Sequence, residues 1–243
     1  MSLSNPRGTN PTKKFIEWSG STGNFKYYDK EQCVNVQIKE PLYIVPLDVF
    51  STIKGYHDAS NSGIYSNEVR FLSKDVLAVR SFKGGEIAKG LYSEIKGKLE
   101  GGKFSKSLYA ANIIPKGKGQ LPEIELVNVC FTGSALGVFI DAKINVDSGE
   151  IIVLSPSIEE KKKGNTKYFE PVIKKDKKRL DILEMCIQLD VELQEYMKIH
   201  LASSESEAVE TKEVKPIQIA NHNNLEQSDL NYESEDENSD LPF

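Results

Sequence analysis

Basic and aromatic residues are interleaved through the middle of this 243-residue chain. Between positions 70 and 118, eleven Lys and Arg residues stand against four acidic residues. Five rings lie among these cations, contributed by Phe71, Phe82, Tyr92, Phe104 and Tyr109. Cations attract nucleic-acid phosphates whatever the base sequence, and a ring that stacks on a base contributes about 1 to 3 kcal/mol. The combination therefore indicates a surface for single-stranded nucleic acid.

A second group of aromatic residues lies nearer the N-terminus, in a segment rich in Gly, Ser and Asn. This composition predicts an exposed loop or hairpin around Trp18 and Tyr27, whose rings can stack on bases or pack on the body. For Phe71 and Phe82, burial in the core is the competing interpretation, because a Phe in a strand usually packs inside. The residues predicted to bind single-stranded DNA are Trp18, Phe25, Lys26, Tyr27, Tyr65, Arg70, Arg80, Phe82, Lys83, Lys103, Lys106 and Tyr109.

A second basic run extends from position 161 to 179, where nine basic residues stand against two acidic residues. It lies outside the segments predicted to form the main strands. The run can extend a path for DNA, hold the acidic tail of the same chain, or form a solvated loop and helix start. All three interpretations stay open at this point.

The residue types that several enzymatic reactions need are missing or wrongly spaced. A phosphate-binding loop requires Ser or Thr after its Gly-Lys pair, but Gly102-Lys103 is followed by Phe104. The three histidines are isolated, without cysteines at the spacing of a zinc site. Glu94-Ile95-Lys96 matches a nuclease motif only in composition, and no Ser or Cys has a recognisable nucleophile motif. We therefore expect no enzymatic activity, no metal and no cofactor.

The formal net charge of -5 is unevenly distributed along the chain. Positions 201 to 243 contain eleven acidic residues and two Lys, whereas the first 200 residues contain 29 basic and 25 acidic residues. The acidic tail is rich in Ser, Glu and Asn and poor in large apolar residues, a composition typical of disorder. Its apolar residues Leu241, Pro242 and Phe243 stand at the carboxyl end, where Phe can enter a partner's pocket beside a carboxylate-binding cation. The competing interpretation is a tail that only solubilises the protein.

The ending Asp240-Leu241-Pro242-Phe243 behind an acidic linker resembles the C-terminal tip of bacterial single-stranded DNA-binding proteins. It is also similar to the acidic, Phe-terminated tails of phage-encoded ones. The resemblance covers about the last eleven residues. It implies a tip that recruits replication, recombination and repair proteins, and a tail that can compete with DNA for the protein's own groove. It also implies a bacterial cytoplasm, including that of a phage-infected host.

Hydrophobic periodicity predicts a mainly β body of the α+β type. Ile87, Leu91, Ile95 and Leu99 recur every four residues, which predicts a helix over 86–99. With strands placed around it, the order is strand, strand, strand, helix, strand, strand. This is the order of an OB-fold-like five-stranded barrel with its helix between strands 3 and 4. The strands are predicted over 33–47, 64–72, 76–82, 103–114 and 124–131.

An extra C-terminal helix is predicted over 178–201. Ile182, Cys186, Leu189, Leu193 and Tyr196 form one apolar stripe along it. The stripe can pack on the barrel or on the same helix of a second subunit, which would make a homo-oligomer. Residues 133–154 add a short helix or loop and a strand that the minimal barrel does not require.

The domain organisation predicted from these patterns has three parts. A flexible segment covers 1–12, a DNA-binding domain with the helix covers 13–201, and a disordered acidic tail covers 202–243. Three distant cysteines fit buried, reduced thiols better than a disulfide framework. No apolar run is long enough for a bilayer and the N-terminus lacks a signal-peptide core, so we expect a cytoplasmic protein without membrane contacts.

The functional hypothesis is a sequence-independent single-stranded DNA-binding protein of replication and recombination. It would coat and protect exposed strands and recruit partner proteins through its tip. Two alternatives remain: a protein-interaction adaptor that does not bind DNA, and an RNA-binding or strand-annealing protein.

Overall fold

The computed structural model describes residues 9–206 except 118. The predicted segment 1–12 therefore lies mostly outside the described residues. The predicted tail does so beyond position 206, and with it the tip Asp240-Leu241-Pro242-Phe243. The described chain is mainly β, as predicted. Its helices are α1 (Tyr92–Ile95), α2 (Ser134–Asp141) and α3 (Leu180–Ser206), with short 3-10 turns at Asp58–Ser60, Lys96–Lys98 and Val146–Ser148.

Eleven strands form one mixed sheet, and two more form a separate hairpin. The strands are β1 (Lys14–Ser19), β2 (Asn24–Asp29), β3 (Val34–Ile38), β4 (Leu42–His57), β5 (Ser62–Ser66), β6 (Leu77–Ser81), β7 (Glu86–Gly90), β8 (Gly102–Ile114), β9 (Glu123–Thr132), β10 (Ile151–Ser155), β11 (Glu160–Lys163), β12 (Thr166–Phe169) and β13 (Val172–Asp176).

The order across the sheet is β3-β2-β1-β9-β8-β4-β5-β6-β7. The start of β4 also pairs with β10, which pairs with β13. Strand β4 is the spine of the sheet, because its 16 residues pair with β10, β8 and β5 in turn. A register shift between Pro46 and Asp48 accommodates the proline, which cannot donate to a ladder. Among the described residues, the outermost strands β3 and β7 do not pair with each other, so the sheet is not closed.

One side of the sheet carries the largest core cluster. Ile16 on β1 pairs with Val129 on β9, which pairs with Leu108 on β8, and all three are buried. Helix α2 covers this side, where the rings of Phe131 and Phe139 stack with centroids 4.5 Å apart. A second cluster of β5, β6 and α1 residues continues the same side beyond β4. We call this the core side.

Helix α3 packs on the opposite side of the sheet. Its first half contacts Val45 and Ala111, and its second half places Leu193 and Met197 on Phe50. The apolar stripe predicted for this helix therefore packs on the sheet of its own chain. The helix covers only part of that side, which leaves the rest of β4 and β8 uncovered by it.

The predicted helix over 86–99 is wrong in its first half. Residues Glu86–Gly90 form β7, and α1 is a single turn followed by a 3-10 turn. Gly90 has a φ of 154°, which is incompatible with a helix and ends β7 before α1 begins. Ile95 and Leu99 are still buried in one cluster, so their spacing reported a shared core position.

The predicted strand 33–47 is also divided. Its first part is β3 at the edge of the sheet, and its second part begins β4 at the centre. The predicted strand 64–72 is shorter in the structure, because β5 ends at Ser66. Val69 still exchanges two backbone hydrogen bonds with Ser51 on β4. The predictions for β8, β9 and α3 agree closely with their observed bounds.

The three cysteines differ in their surroundings. Cys130 and Cys186 are buried free thiols, and burial raises the pKa of Cys186 to about 11. Cys33 is exposed, contrary to the prediction, because it lies in the turn before β3 with a φ of 55°. Within the described residues, no helix combines the length and apolar character needed to cross a bilayer.

Candidate nucleic-acid interface

The side of the sheet that holds α3 continues beyond the helix as a polar surface, which we call the open face. Lys54 pairs directly with Tyr65 on β5 and with Lys103 on β8, and Ser105 pairs with Thr132 on β9. Directly paired residues project from the same side of a sheet, so these side chains share one face. The open face is lined by Thr52, Lys54, Tyr56, Gly63, Tyr65, Phe82, Lys103, Ser105 and Thr132.

A stacked aromatic pair lies at one end of the open face. The rings of Tyr65 and Phe82 have centroids 5.0 Å apart and an interplanar angle of 28°. Tyr65 is 40% exposed and Phe82 is 73% exposed, although Phe82 is fully apolar. Stacking on Tyr65 leaves most of the Phe82 side chain exposed, so the pair presents an aromatic surface to solvent. Such a surface can receive an unpaired base.

Gly63 holds the Phe82 ring in this position. The Phe82 amide donates a 2.9 Å hydrogen bond to the Gly63 carbonyl, which fixes Phe82 opposite the glycine. A Cβ at position 63 would lie 2.6 Å from Cδ2 of Phe82, so only glycine leaves room for the ring. Tyr56, also exposed, lies directly across from Gly63 on β4.

Three lysines lie on the strands and the turn next to the aromatic pair. Lys103 and Lys83 are exposed, and Lys83 follows Phe82 directly. The Nζ of Lys54 lies 3.4 Å from Oε1 of Glu17 on β1, so its side chain crosses the face. Burial alone would lower the pKa of Lys54, but interactions with Cys130 and Glu17 outweigh it and raise that pKa. Lys54 is therefore a cation at neutral pH, as phosphate binding requires.

The floor of the open face is built from small polar side chains that bind one another. Ser105 and Thr132 hydroxyls lie 2.7 Å apart, and Asn128 donates a 2.6 Å hydrogen bond to Ser107. The Thr52 hydroxyl donates to the Ser66 carbonyl at 3.3 Å. Because these groups are buried and already paired, they offer few free donors or acceptors to a base edge.

Two of the residues predicted to bind DNA are buried, and two more are half-buried with their rings on the core side. Phe25 is fully buried and Tyr109 is 3% exposed. Trp18 and Tyr27 pack against the core cluster, and Trp18 donates a 3.0 Å hydrogen bond to the Phe169 carbonyl. The β1–β2 hairpin causes this, because Trp18 pairs with Phe25 on the core side. None of these four rings is part of the open face.

Tyr109 has an internal partner in place of a base. Its hydroxyl donates a 2.7 Å hydrogen bond to Glu68. Burial, followed by the charge of Glu68, raises the pKa of Tyr109 well above its ordinary value. Its ring also packs edge-on against Phe50 beneath α3.

Two of the predicted cations bind side chains of their own chain. Arg70 donates two hydrogen bonds to Asp48, at 2.7 and 2.6 Å, and lies over the Phe50 ring. Lys106 projects from the core side, where its Nζ donates to the Ser51 hydroxyl at 2.9 Å and burial lowers its pKa. Both bind parts of their own chain, so neither is counted among the candidate phosphate ligands.

The remaining predicted residues lie on the side of the open face. Tyr65, Phe82 and Lys103 lie toward its aromatic end, half-buried Arg80 pairs with Tyr65, and exposed Lys83 follows Phe82 in the turn after β6. Lys26 lies at the far end, paired with Glu17. Their role in binding stays a prediction.

Four further side chains on the same side were not among the residues predicted to bind DNA: exposed Phe15, Tyr28 and Tyr56, and half-buried Lys54. Lys54 and Tyr56 belong to the second half of β4, beyond the predicted end of that strand. The alternation of Thr52, Lys54 and Tyr56 was the available signal. Exposed Phe15 and Tyr28 form a second aromatic group on β1 and β2.

The first half of the second basic run forms a separate hairpin, β11–β12, and its second half lies in β13 and in the residues that lead to α3. Lys161 pairs with Glu170, Lys167 lies 2.9 Å from Glu160, and Lys162 stands directly opposite Lys167. The hairpin joins the body next to Trp18, through the Phe169 carbonyl. Its residues are not part of the open face.

Residues 9–206, without 118, contain no cluster of three or more His, Cys, Asp or Glu side chains that could hold a metal ion. Comparison with protein-family models, with curated proteins and with solved structures finds no match to this chain.

Proposed function

We propose that the protein binds single-stranded DNA without sequence preference through the open face. The observation that carries the proposal is the exposed Tyr65–Phe82 stack beside Lys54, Lys83 and Lys103. An aromatic surface can stack on a base only where the base is unpaired, which favours single strands over duplexes. Phosphates next to the stacked base would meet the lysines and release their counterions.

The polar floor supports the absence of sequence preference. A protein that reads bases needs free donors and acceptors aimed at base edges. The hydroxyls and amide of Ser105, Thr132 and Asn128 are already hydrogen-bonded within the sheet. The main sources of affinity are then base stacking and attraction between lysines and phosphates, neither of which depends on the base sequence.

We also propose that β4, β5, β6, α1, β8 and β9 form an opened OB-type unit. They follow one another as strand, strand, strand, helix, strand, strand, with β7 added before the helix. Strand β4 pairs with both β5 and β8, and β8 pairs with β9. Strand β1 lies beside β9, at the edge where such a barrel would close.

The acidic tail is proposed to recruit replication, recombination or repair proteins through Phe243, on the strength of its sequence resemblance. Helix α3 supports this arrangement. Its first half packs at the start of β4 and its second half near Phe50, so it runs toward the open face. A bacterial cytoplasm, as implied by the same resemblance, belongs to this proposal.

Fluorescence anisotropy with a labelled dT oligonucleotide across a salt series tests the proposal. We expect log K to fall with log salt by about 0.7 per phosphate contacted, with duplex DNA competing poorly. RNA of matching length forms a third arm, and preference for RNA would favour the RNA-binding alternative. No binding at low salt, with full-length protein and with a variant lacking 240–243, would refute DNA binding and favour the adaptor alternative.

A further inference from the structure

The outer strands of the sheet differ in their protection against pairing with another chain. Strand β7 carries Glu86 and Lys89, and its register against β6 is irregular. Strand β13 carries two lysines and an aspartate. Charges and bulges of this kind are how proteins prevent an edge strand from pairing with another chain.

Strand β3 has none of these protective features within the described chain. Its sequence, Val34–Ile38, contains no charge, proline or glycine. It pairs in unbroken register with β2, and its other edge has no strand partner among the described residues. Val34 is 46% exposed. An uncharged, β-branched edge of this kind is suited to accept another strand.

The sequence of β3 is self-complementary about its central residue. A two-fold axis through Val36 in an antiparallel pair brings Val34 opposite Ile38 of the partner subunit. The same axis brings Asn35 opposite Gln37 of the partner subunit. In the β2–β3 register, the core side of β3 carries Val34, Val36 and Ile38. The other side carries Asn35 and Gln37. Apolar residues thus meet apolar residues, and amides meet amides, with no like charges opposed.

We propose that β3 is a homodimerisation edge, joining two copies of this chain into one continuous sheet by antiparallel β3–β3 pairing. The contact is isologous, because each copy contributes the same strand. Five residues on each side make a small interface, so we expect a dissociation constant in the range of about 1 to 100 μM. This inference does not rest on DNA binding.

The β3–β3 pairing would also bring the open-face side of one copy next to the open-face side of the other. Asn35 and Gln37 lie beside Tyr28 and Lys26 of β2 in the β2–β3 register. The corresponding sides of two copies would then continue across the shared edge. A dimer would therefore present both faces to the same side.

Sedimentation velocity of the full-length protein without nucleic acid, over a concentration series spanning the expected range, tests the proposal. We expect a monomer–dimer equilibrium that Val36→Lys abolishes, because two lysines would meet at the axis. Val36→Thr should preserve it. Glu86→Lys, on the other edge, should leave the equilibrium unchanged. A protein that stays monomeric throughout, or a dimer that Val36→Lys leaves intact while circular dichroism shows a native fold, would overturn the proposal.

Cys33 supplies a test that needs no change to β3. It is the exposed cysteine of the three. Two copies of Cys33 would lie six residues apart along the shared ladder, which is about 20 Å at 3.4 Å per residue. A nitroxide label at Cys33 should give a pulsed-EPR distance of about 20 to 30 Å. A well-defined distance above this range would exclude the proposed register.

Discussion

One side of the sheet contains two regions that share strands but differ in chemistry. Beneath α3, strands β4 and β8 present Val45, Phe50 and Ala111 to the helix. Beyond it, the same two strands present Thr52, Lys54, Tyr56, Lys103 and Ser105. Two strands therefore build both a helix-packing surface and the proposed DNA-binding surface, and on β4 the change falls between Phe50 and Thr52. Fold stability and DNA affinity should accordingly respond to different residues along one strand.

The largest expected effect is on stability, beneath the helix. Phe50→Ala should lower the free energy of unfolding by about 3 to 5 kcal/mol, because the ring is fully buried between Tyr109 and the α3 residues. Urea denaturation measures the change. Ile187→Ala, on the exposed side of α3, is the control and should change stability by less than about 0.5 kcal/mol. Equal losses in the two variants would mean that the helix contact does not stabilise the fold.

The next effect separates the open face from the helix contact. Replacing Tyr65 and Phe82 together by Ala should weaken dT oligonucleotide binding by about 1 to 3 kcal/mol, because the stacking surface is lost. The unfolding free energy should change far less than for Phe50→Ala, since both rings are exposed. Phe71→Ala removes another exposed ring, outside the stack, and serves as the matched control. Unchanged affinity in the double variant would remove the stack from the interface.

A smaller effect concerns the buried polar residue at the boundary between the two regions. Tyr109→Phe should cost about 1 to 2 kcal/mol of stability at neutral pH, because Glu68 loses a hydrogen-bond donor. The raised pKa of Tyr109 keeps it protonated when the unfolded chain ionises near pH 10, so the native state then binds more protons.

Stability should therefore fall as pH rises above about 10, and less steeply in Tyr109→Phe. Thermal unfolding at several alkaline pH values gives both slopes. Identical slopes in the two proteins would assign the alkaline loss to other groups.

The smallest effect is on salt dependence. Lys103→Gln should reduce the slope of log K against log salt by about 0.7, if the ammonium contacts one phosphate. Lys98→Gln removes another exposed charge, from the 3-10 turn that follows α1, and should leave the slope unchanged. The two variants have the same net charge, so a difference between them reports position. Equal slopes would show that only net charge matters.

The parts of the fold that the sequence predicted are those whose pattern is local. Strands β8 and β9 and helix α3 have an unbroken periodicity, and their observed bounds are close to the predicted ones. The helix over 86–99 failed because a spacing of four marks residues that share a core cluster, whether or not one helix carries them all. Gly90, with its positive φ, decided the outcome.

The candidate site was predicted only in part for a related reason. Alternation along a strand tells which residues share a side, but not which side another element covers. Phe25 and Tyr109 carry the same residue types as Phe82 and Tyr65, yet the first two are buried. What separates them is contact with residues distant in sequence, such as Tyr109 with Glu68 and with the surroundings of α3. Composition and spacing contain no record of those contacts.

The parallel pairing of β1 with β9 has a consequence for the order in which the protein can fold. Ile16 pairs with Val129, so more than one hundred further residues must be synthesised before β9, the partner of β1, is available. Pairings this distant slow folding, because the intervening chain must be ordered before they form. During synthesis, β1 would leave the ribosome with an unpaired edge. That interval is when this chain is most exposed to pairing with the wrong strand.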